Sequence, residues 1–185
     1  MKIILINPPH TAIGSRIPRE HLPPMGLLAI GGPLIDAGHD VRLLDAEFGP
    51  MPTNEIVRQV ADYSPAAVFI GHAGSTSAHP TVAEITRAIR QRLPQTKIVY
   101  GGVFPTYHWR EVLTAEPQID FIVRGEGEAT AVKLVDAIGK SVVPHCVWGI
   151  AFRKNGIPFA TRPAMPIADL DEFRIGWELA DLARY

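Results

Sequence analysis

Short β-branched runs alternate with segments of helical spacing along most of this chain, and that alternation narrows its fold more than any other feature. The runs are Lys2 to Asn7, Asp40 to Asp45, Ala66 to Gly71, Lys97 to Gly101 and Ile119 to Val123. Between the third and fourth, Val82, Ile85, Ile89 and Leu93 recur at steps of three and four, on one face of a helix whose other face carries Glu84, Arg87, Arg90 and Arg92. Asn54 to Tyr63 repeats the spacing through Ile56, Val57 and Val60, and Glu128 to Ile138 through Val132, Val135 and Ile138. Strands joined through helices pair in parallel by right-handed crossovers, and such a sheet is covered on both faces. The expected architecture is α/β: a doubly wound, five-stranded parallel sheet, Rossmann-like, in the flavodoxin-like order 2-1-3-4-5.

Two stretches fit this pattern less simply. Gly31-Gly32-Pro33 falls inside the helix expected between the first two strands and should weaken or kink it, although Ala37-Gly38 marks its end with a glycine suited to a left-handed cap. After about Gly139 the pattern changes to Val147 to Arg153, Lys154-Asn155-Gly156 and Ile157 to Arg162, and Asn-Gly between two short runs is a hairpin signal. Residues 163–185 carry prolines and a short possible helix around Glu178 to Ala183, with no clear core of their own. Residues 1–140 therefore read as one domain, and 141–185 as a hairpin extension and a linker toward a further domain.

Composition removes several classes of function. With 18 Lys+Arg against 19 Asp+Glu and no basic stripe, nucleic acid is not an expected partner. The single cysteine, Cys146, excludes a disulfide framework, a multi-cysteine zinc site and a self-contained iron–sulfur cluster, and is expected to be a small apolar core residue. The apolar run at Ile3 to Ile6 is too short for a signal peptide, and no stretch of about 18 apolar residues is present to span a membrane. The expected location is the cytoplasm.

In an open parallel sheet, ligands lie outside the carboxyl ends of the strands, near the point where the strand order reverses. The loops there are not those of a nucleotide binder. The one Gly-Lys-Ser, at Gly139 to Ser141, follows a helix rather than a strand; Gly125-Glu126-Gly127 lacks a third glycine at Thr130 and brings carboxylates that would repel a pyrophosphate. Nor does the first strand end in the paired acids of a phosphoacceptor, since it runs into Asn7-Pro8-Pro9.

Taken together, Asn7-Pro8-Pro9, Pro23-Pro24-Met25-Gly26-Leu27, Asp45-Ala46-Glu47-Phe48-Gly49, Gly71-His72-Ala73-Gly74-Ser75-Thr76, Gly101-Gly102-Val103-Phe104-Pro105 and Val123-Arg124-Gly125-Glu126-Gly127-Glu128 form a recognisable set. It resembles the N-terminal cobalamin-binding domain of cobalamin-dependent radical S-adenosylmethionine enzymes. With Gly149 to Arg153 and Arg174 to Trp177 added, the chain looks like the branch of oxygen-independent oxidative cyclases that close the fifth ring of a magnesium-porphyrin monomethyl ester in bacteriochlorophyll synthesis. The resemblance implies cobalamin as cofactor. It also implies a following radical S-adenosylmethionine domain of the same full-length chain that holds a [4Fe–4S] cluster and S-adenosylmethionine, with a porphyrin as substrate of the whole enzyme. One cysteine cannot hold that cluster, so these residues alone are expected to catalyse nothing. Open alternatives are the cobalamin domain of a radical methyltransferase, a stand-alone cobalamin sensor or carrier, and a flavodoxin-like domain with another ligand.

The candidate contacts follow from these loops. Gly101 and Gly102 remove side chains where a flat ring or its nucleotide tail must approach backbone, or else form a plain strand-to-helix turn. Ser75 and Thr76 offer hydroxyls to a buried tail base, unless Ser75 or Ser77 caps a helix. Asn7 ends the first strand beside them. The cobalamin domains of methionine synthases and mutases carry Asp-x-His-x-x-Gly with a cobalt-ligating histidine. The compared positions, Asp45-Ala46-Glu47-Phe48-Gly49-Pro50, hold Glu47 at the histidine and a glycine one residue early. The resemblance therefore implies base-off cobalamin without a histidine below the cobalt; Glu47 could be an oxygen ligand, but a solvated surface carboxylate is the expected outcome, since imidazole suits cobalt better. Of His10, His72 and His108, which lie near strand ends, His72 could reach toward the ring or be a hydrogen-bonded loop histidine. Tyr107, His108 and Trp109 could cover a corrin edge or pack into the core, and Arg124, Gly125 and Glu126 could meet corrin amides, or Arg124 could pair with Glu126.

Overall fold

The computed structural model of the chain describes residues 1–9, 22–47, 51–72 and 78–185. Its parallel strands are β1 (Lys2–Asn7), β2 (Asp40–Asp45), β3 (Ala67–His72), β4 (Lys97–Gly102) and β5 (Phe121–Val123). The helices between and after them are α1 (Met25–Asp36), α2 (Thr53–Tyr63), α3 (His79–Arg92), α4 (Val103–Tyr107), α5 (Trp109–Ala115) and α6 (Glu128–Gly139). The strands lie in the expected order 2-1-3-4-5, with β1 between β2 and β3: Ile4 faces Arg42 of β2 on one side and Val68 of β3 on the other. Five of the six β1 residues and all six of β3 are buried, as strands covered on both faces must be.

Alternate strand residues feed two cores. Ile4, Ile6, Val68, Ile70, Ile98 and Tyr100 pack with Ile56 and Val60 of α2 and Val82, Ile85 and Ile89 of α3. On the other face, Ile3, Leu5, Phe69 and Val99 pack with Leu34 of α1 and Leu134 and Val135 of α6. β5 starts two residues later than its sequence pattern because Asp120 intervenes. The Asp120 carboxylate accepts the Ile98 amide at 2.8 Å and pairs with Arg90 at 2.6 Å, so a side chain takes the place of the first ladder bond.

The hairpin forms as β6 (Ile150–Lys154) and β7 (Ile157–Ala160), turning through Asn155 and Gly156, whose positive φ angles of 52° and 79° suit the turn that matches strand twist. It is not a separate appendage. β6 pairs antiparallel with β5 through Phe121 and Phe152, which continues the sheet to seven strands.

Four expectations are corrected. α1 is unbroken through Gly31-Gly32-Pro33, because the glycines serve packing: a Cβ on Gly31 would fall on Leu179, and one on Gly32 on the carbonyl of Arg174. Residues 163–185 are accordingly not coreless. The Gly176 amide donates to Leu28 O at 2.9 Å, Arg174 pairs with Asp36 at 2.7 Å, and Leu179 packs against the α1/α6 core. In place of the helix expected at Glu178 to Ala183 stand two 3-10 turns, Trp177–Leu179 and Leu182–Arg184. Cys146 lies exposed in the turn after α6 rather than in the core, because the chain there runs along the surface with Val147 as its buried anchor.

Candidate functional site

The parallel register brings the strand-end residues to one edge. Asn7 stands beside Asp45, Gly71 beside Gly101, and His72 beside Gly102. Ser75, Thr76 and His10 lie outside the described residues.

Asn7, Asp45 and Glu47 form a buried polar group, with 5%, 8% and 3% of their surfaces exposed. Asp45 Oδ1 accepts from Asn7 Nδ2 at 2.8 Å and from the Glu47 amide at 3.2 Å. This turn tucks Glu47 inward, so the expected solvated carboxylate is instead a buried one. The other Asp45 oxygen accepts the hydroxyl of Tyr185 at 2.6 Å. Nothing local marked Tyr185 as part of this edge, since 140 residues separate it from Asp45.

His72 ends β3, buried, with Nε2 at 3.0 Å from the hydroxyl of the fully buried Tyr100. Burial pushes the Tyr100 phenol above its ordinary pKa, which keeps it protonated. His79 stacks on Tyr100 with ring centres 6.0 Å apart and meets Phe104 at 4.7 Å, and Phe104 stacks on His108. Burial lowers the His79 pKa, with Arg87 and His108 acting in the same direction and Glu116 against it. Folding therefore favours neutral His79. Its stabilising effect is complete above the unfolded histidine value of about 6.5 and declines as pH falls from there to the folded value. The thermal midpoint is expected to drop between pH 7 and pH 5, and to drop less in His79→Phe; equal drops in the two proteins would refute this assignment.

The two glycines of β4 do different work. Among the described residues a Cβ on Gly101 would meet nothing within 4 Å, so none of them fills this strand end on the α1 side, where Leu27 also stands. Gly102 has a φ of 112°, and its Cβ would lie 2.9 Å from the His72 carbonyl, so its absent side chain serves the backbone rather than an opening.

Beyond β5, Gly125 adopts a φ of 78° and donates to Thr106 Oγ1 at 3.2 Å. Arg124 does not pair with Glu126. Its guanidinium lies 5.5 Å from the Trp109 ring, while Glu126 accepts the amide of Ile167 from the C-terminal segment. Arg124 Nε and Glu128 Oε2 are buried without a hydrogen-bond partner, one donor and one acceptor at this same edge. Buried polar atoms without a partner are uncommon in folded proteins. Glu128 belongs to the loop set quoted above but is not singled out there as a contact, since by its spacing it opens a helix. Of the three aromatic residues near α4, Trp109 packs against the core and Tyr107 is 77% exposed.

Among the described residues, no group of three or more His, Cys, Asp or Glu could hold a metal ion, and no helix is long and apolar enough to cross a membrane. A cleft of about 450 Å³, lined by Lys97, Asp120, Phe121, Val142, Phe152 and Arg153, opens at the amino ends of β4 and β5, away from this edge.

Residues 18–135 match the B12 binding domain family. Over its full length the chain is 60% identical to the anaerobic magnesium-protoporphyrin IX monomethyl ester cyclase of Synechocystis, of which it covers 37%. It is 30% identical to an uncharacterized methyltransferase of Pyrococcus horikoshii, of which it covers 40%. Among solved structures, the radical S-adenosylmethionine methyltransferase TsrM of Kitasatospora setae, with cobalamin and a [4Fe-4S] cluster bound, superposes with a TM-score of 0.75. That match covers 94% of this chain and 31% of TsrM at 19% identity, a likeness of fold. The chain thus spans less than half the length of the relatives it matches.

Proposed function

Because the chain belongs to the B12-binding domain family, we propose that it is the cobalamin-binding module of an oxygen-independent magnesium-protoporphyrin IX monomethyl ester cyclase. The observation that carries the reading is the opening at Gly101, beside the unpartnered Arg124 Nε and Glu128 Oε2. A corrinoid fits that set. Its tail needs a channel free of side chains, and its rim of amides offers both donors and acceptors.

Bound cobalamin would supply the cobalt-centred chemistry. This chain's residues would do the holding: Gly101 admits the tail, Arg124 and Glu128 meet rim amides, and Asn7 with Asp45 and His72 line the edge nearest β1 and β3. Glu47 stands at the position compared with the cobalt-ligating histidine, so this turn would offer bound cobalamin no imidazole. In the complete enzyme we assign the [4Fe–4S] cluster, S-adenosylmethionine and the porphyrin to a radical S-adenosylmethionine domain of the same chain. We place that enzyme in the cytoplasm, a reducing compartment in which the exposed Cys146 would stay a thiol. The 30% identity to a methyltransferase keeps a methyl-transferring enzyme as the second reading, set by the domain that recognises substrate.

Hydroxocobalamin titrated into the purified chain tests the proposal. Retention through gel filtration is expected, with a base-off visible spectrum. No retention at protein concentrations of tens of micromolar would overturn the reading, and a base-on spectrum would remove the buried tail while leaving binding in place.

A further inference from the structure

Tyr185 completes a chain of hydrogen bonds at the carboxyl ends of β1 and β2. Its hydroxyl donates to Asp45 Oδ2 at 2.6 Å, while Asp45 Oδ1 accepts from Asn7 Nδ2 and from the Glu47 amide. Bonds of this length to a carboxylate are the strong, charge-assisted kind. An ionised carboxylate only accepts, so the Asn7 amide must turn its nitrogen toward Asp45 and its carbonyl oxygen away. The orientation of Asn7 therefore depends on Asp45, and Asp45 is clamped from its other oxygen by Tyr185.

The segment that carries Tyr185 is seated independently of that bond. Gly176 lies against Gly32, where any side chain on either residue would collide with backbone, and its amide donates to Leu28 O. Arg174 bridges Asp36 and Glu178 at 2.7 Å each, and Leu179 fills the notch left by Gly31. Residues 174–185 thus form a strap, fixed to α1 at one end and to the sheet edge at the other. Burial and the bond to Asp45 both raise the Tyr185 pKa, so the phenol remains a donor at neutral and mildly alkaline pH.

We infer that Tyr185 is a positioning residue of the corrinoid site, orienting the Asp45 and Asn7 pair from a strap that belongs to the site. The inference rests on the reading of this edge as a cobalamin site and adds a residue that neither the strand-end loops nor the matched residues 18–135 contain.

The test is a hydroxocobalamin titration of the parent chain, Tyr185→Phe, Asp45→Asn and the double variant, with visible circular dichroism of the bound corrinoid as the second readout. Removing a hydrogen bond to a charged group predicts about tenfold weaker binding for Tyr185→Phe. The dichroism spectrum should change with it, since a residue that serves stability alone would leave the seating of the corrin untouched. In the Asp45→Asn background the tyrosine change should have little further effect, because both substitutions break one chain of bonds. Parent affinity and parent dichroism in Tyr185→Phe, or additive losses in the double variant, would overturn the inference. Should Tyr185→Phe fail to fold, Leu179→Ala loosens the strap far from Asp45; weakened binding then supports the inference and unchanged binding overturns it. A parent chain that retains no cobalamin overturns the underlying reading as well, whereas a parent that binds beside an unaffected Tyr185→Phe overturns this inference alone.

Discussion

Replacing Gly101 with leucine is expected to weaken cobalamin retention by about 10- to 100-fold, the equivalent of roughly 1–3 kcal/mol of overpacking, while leaving the ligand-free fold intact. The reason lies in what surrounds the missing Cβ. Gly101 pairs with Gly71 in the ladder, and among the described residues nothing lies within 4 Å of the place its side chain would occupy. A leucine would therefore meet none of the described atoms at its Cβ and would block the space proposed for the nucleotide tail. Gly102→Ala is the contrasting control. Its φ of 112° and the His72 carbonyl 2.9 Å from a new Cβ predict a loss of about 1–3 kcal/mol in folding stability itself. Titration and thermal melting of both variants separate the two roles. Gly101→Leu with parent affinity would place the tail elsewhere.

Gly32→Ala is expected to lower stability and expose residues 163–185 to protease, and here the sign decides between two accounts. For a glycine in an uncovered helix, alanine would stabilise by about 1 kcal/mol through helix propensity. In this fold its Cβ would land on the carbonyl of Arg174, and Gly176 leaves no room on the other side. The strap must lift, which removes the Gly176 to Leu28 hydrogen bond, loosens the ion pair of Arg174 with Asp36, and uncovers Leu179. We expect a net loss of about 1 kcal/mol, the common cost of overpacking, roughly 1–3 kcal/mol, less the propensity gain. Denaturant unfolding and limited proteolysis measure it. A more stable variant with an equally protected tail would show that the strap is not seated on α1.

The glycine pair in α1 shows how far local reading reaches. From sequence, Gly31-Gly32-Pro33 weakens or kinks a helix, because propensity is all a local reading contains. Only the presence of Gly176 and Leu179 on top of it turns the same residues into a docking notch. Glu47 and Cys146 exchanged their expected places for a similar reason: burial depends on which segment arrives above a residue, and neither belongs to a periodic stripe.

What the sequence determined by itself was whatever repeats along the chain or depends on one residue's φ. The periods of two and near four placed the strands and most helices, their alternation set the parallel order 2-1-3-4-5, and Asn155-Gly156 placed the hairpin turn. Because the order put every carboxyl end on one edge, it also gathered Asn7, Asp45, His72, Gly101 and Arg124 before any contact was known. The tertiary structure alone decided which glycine faces open space, which polar atoms lack partners, and that Tyr185 reaches Asp45 across 140 residues. Those are contacts between segments far apart in the chain, which leave no period in the sequence because each is made once.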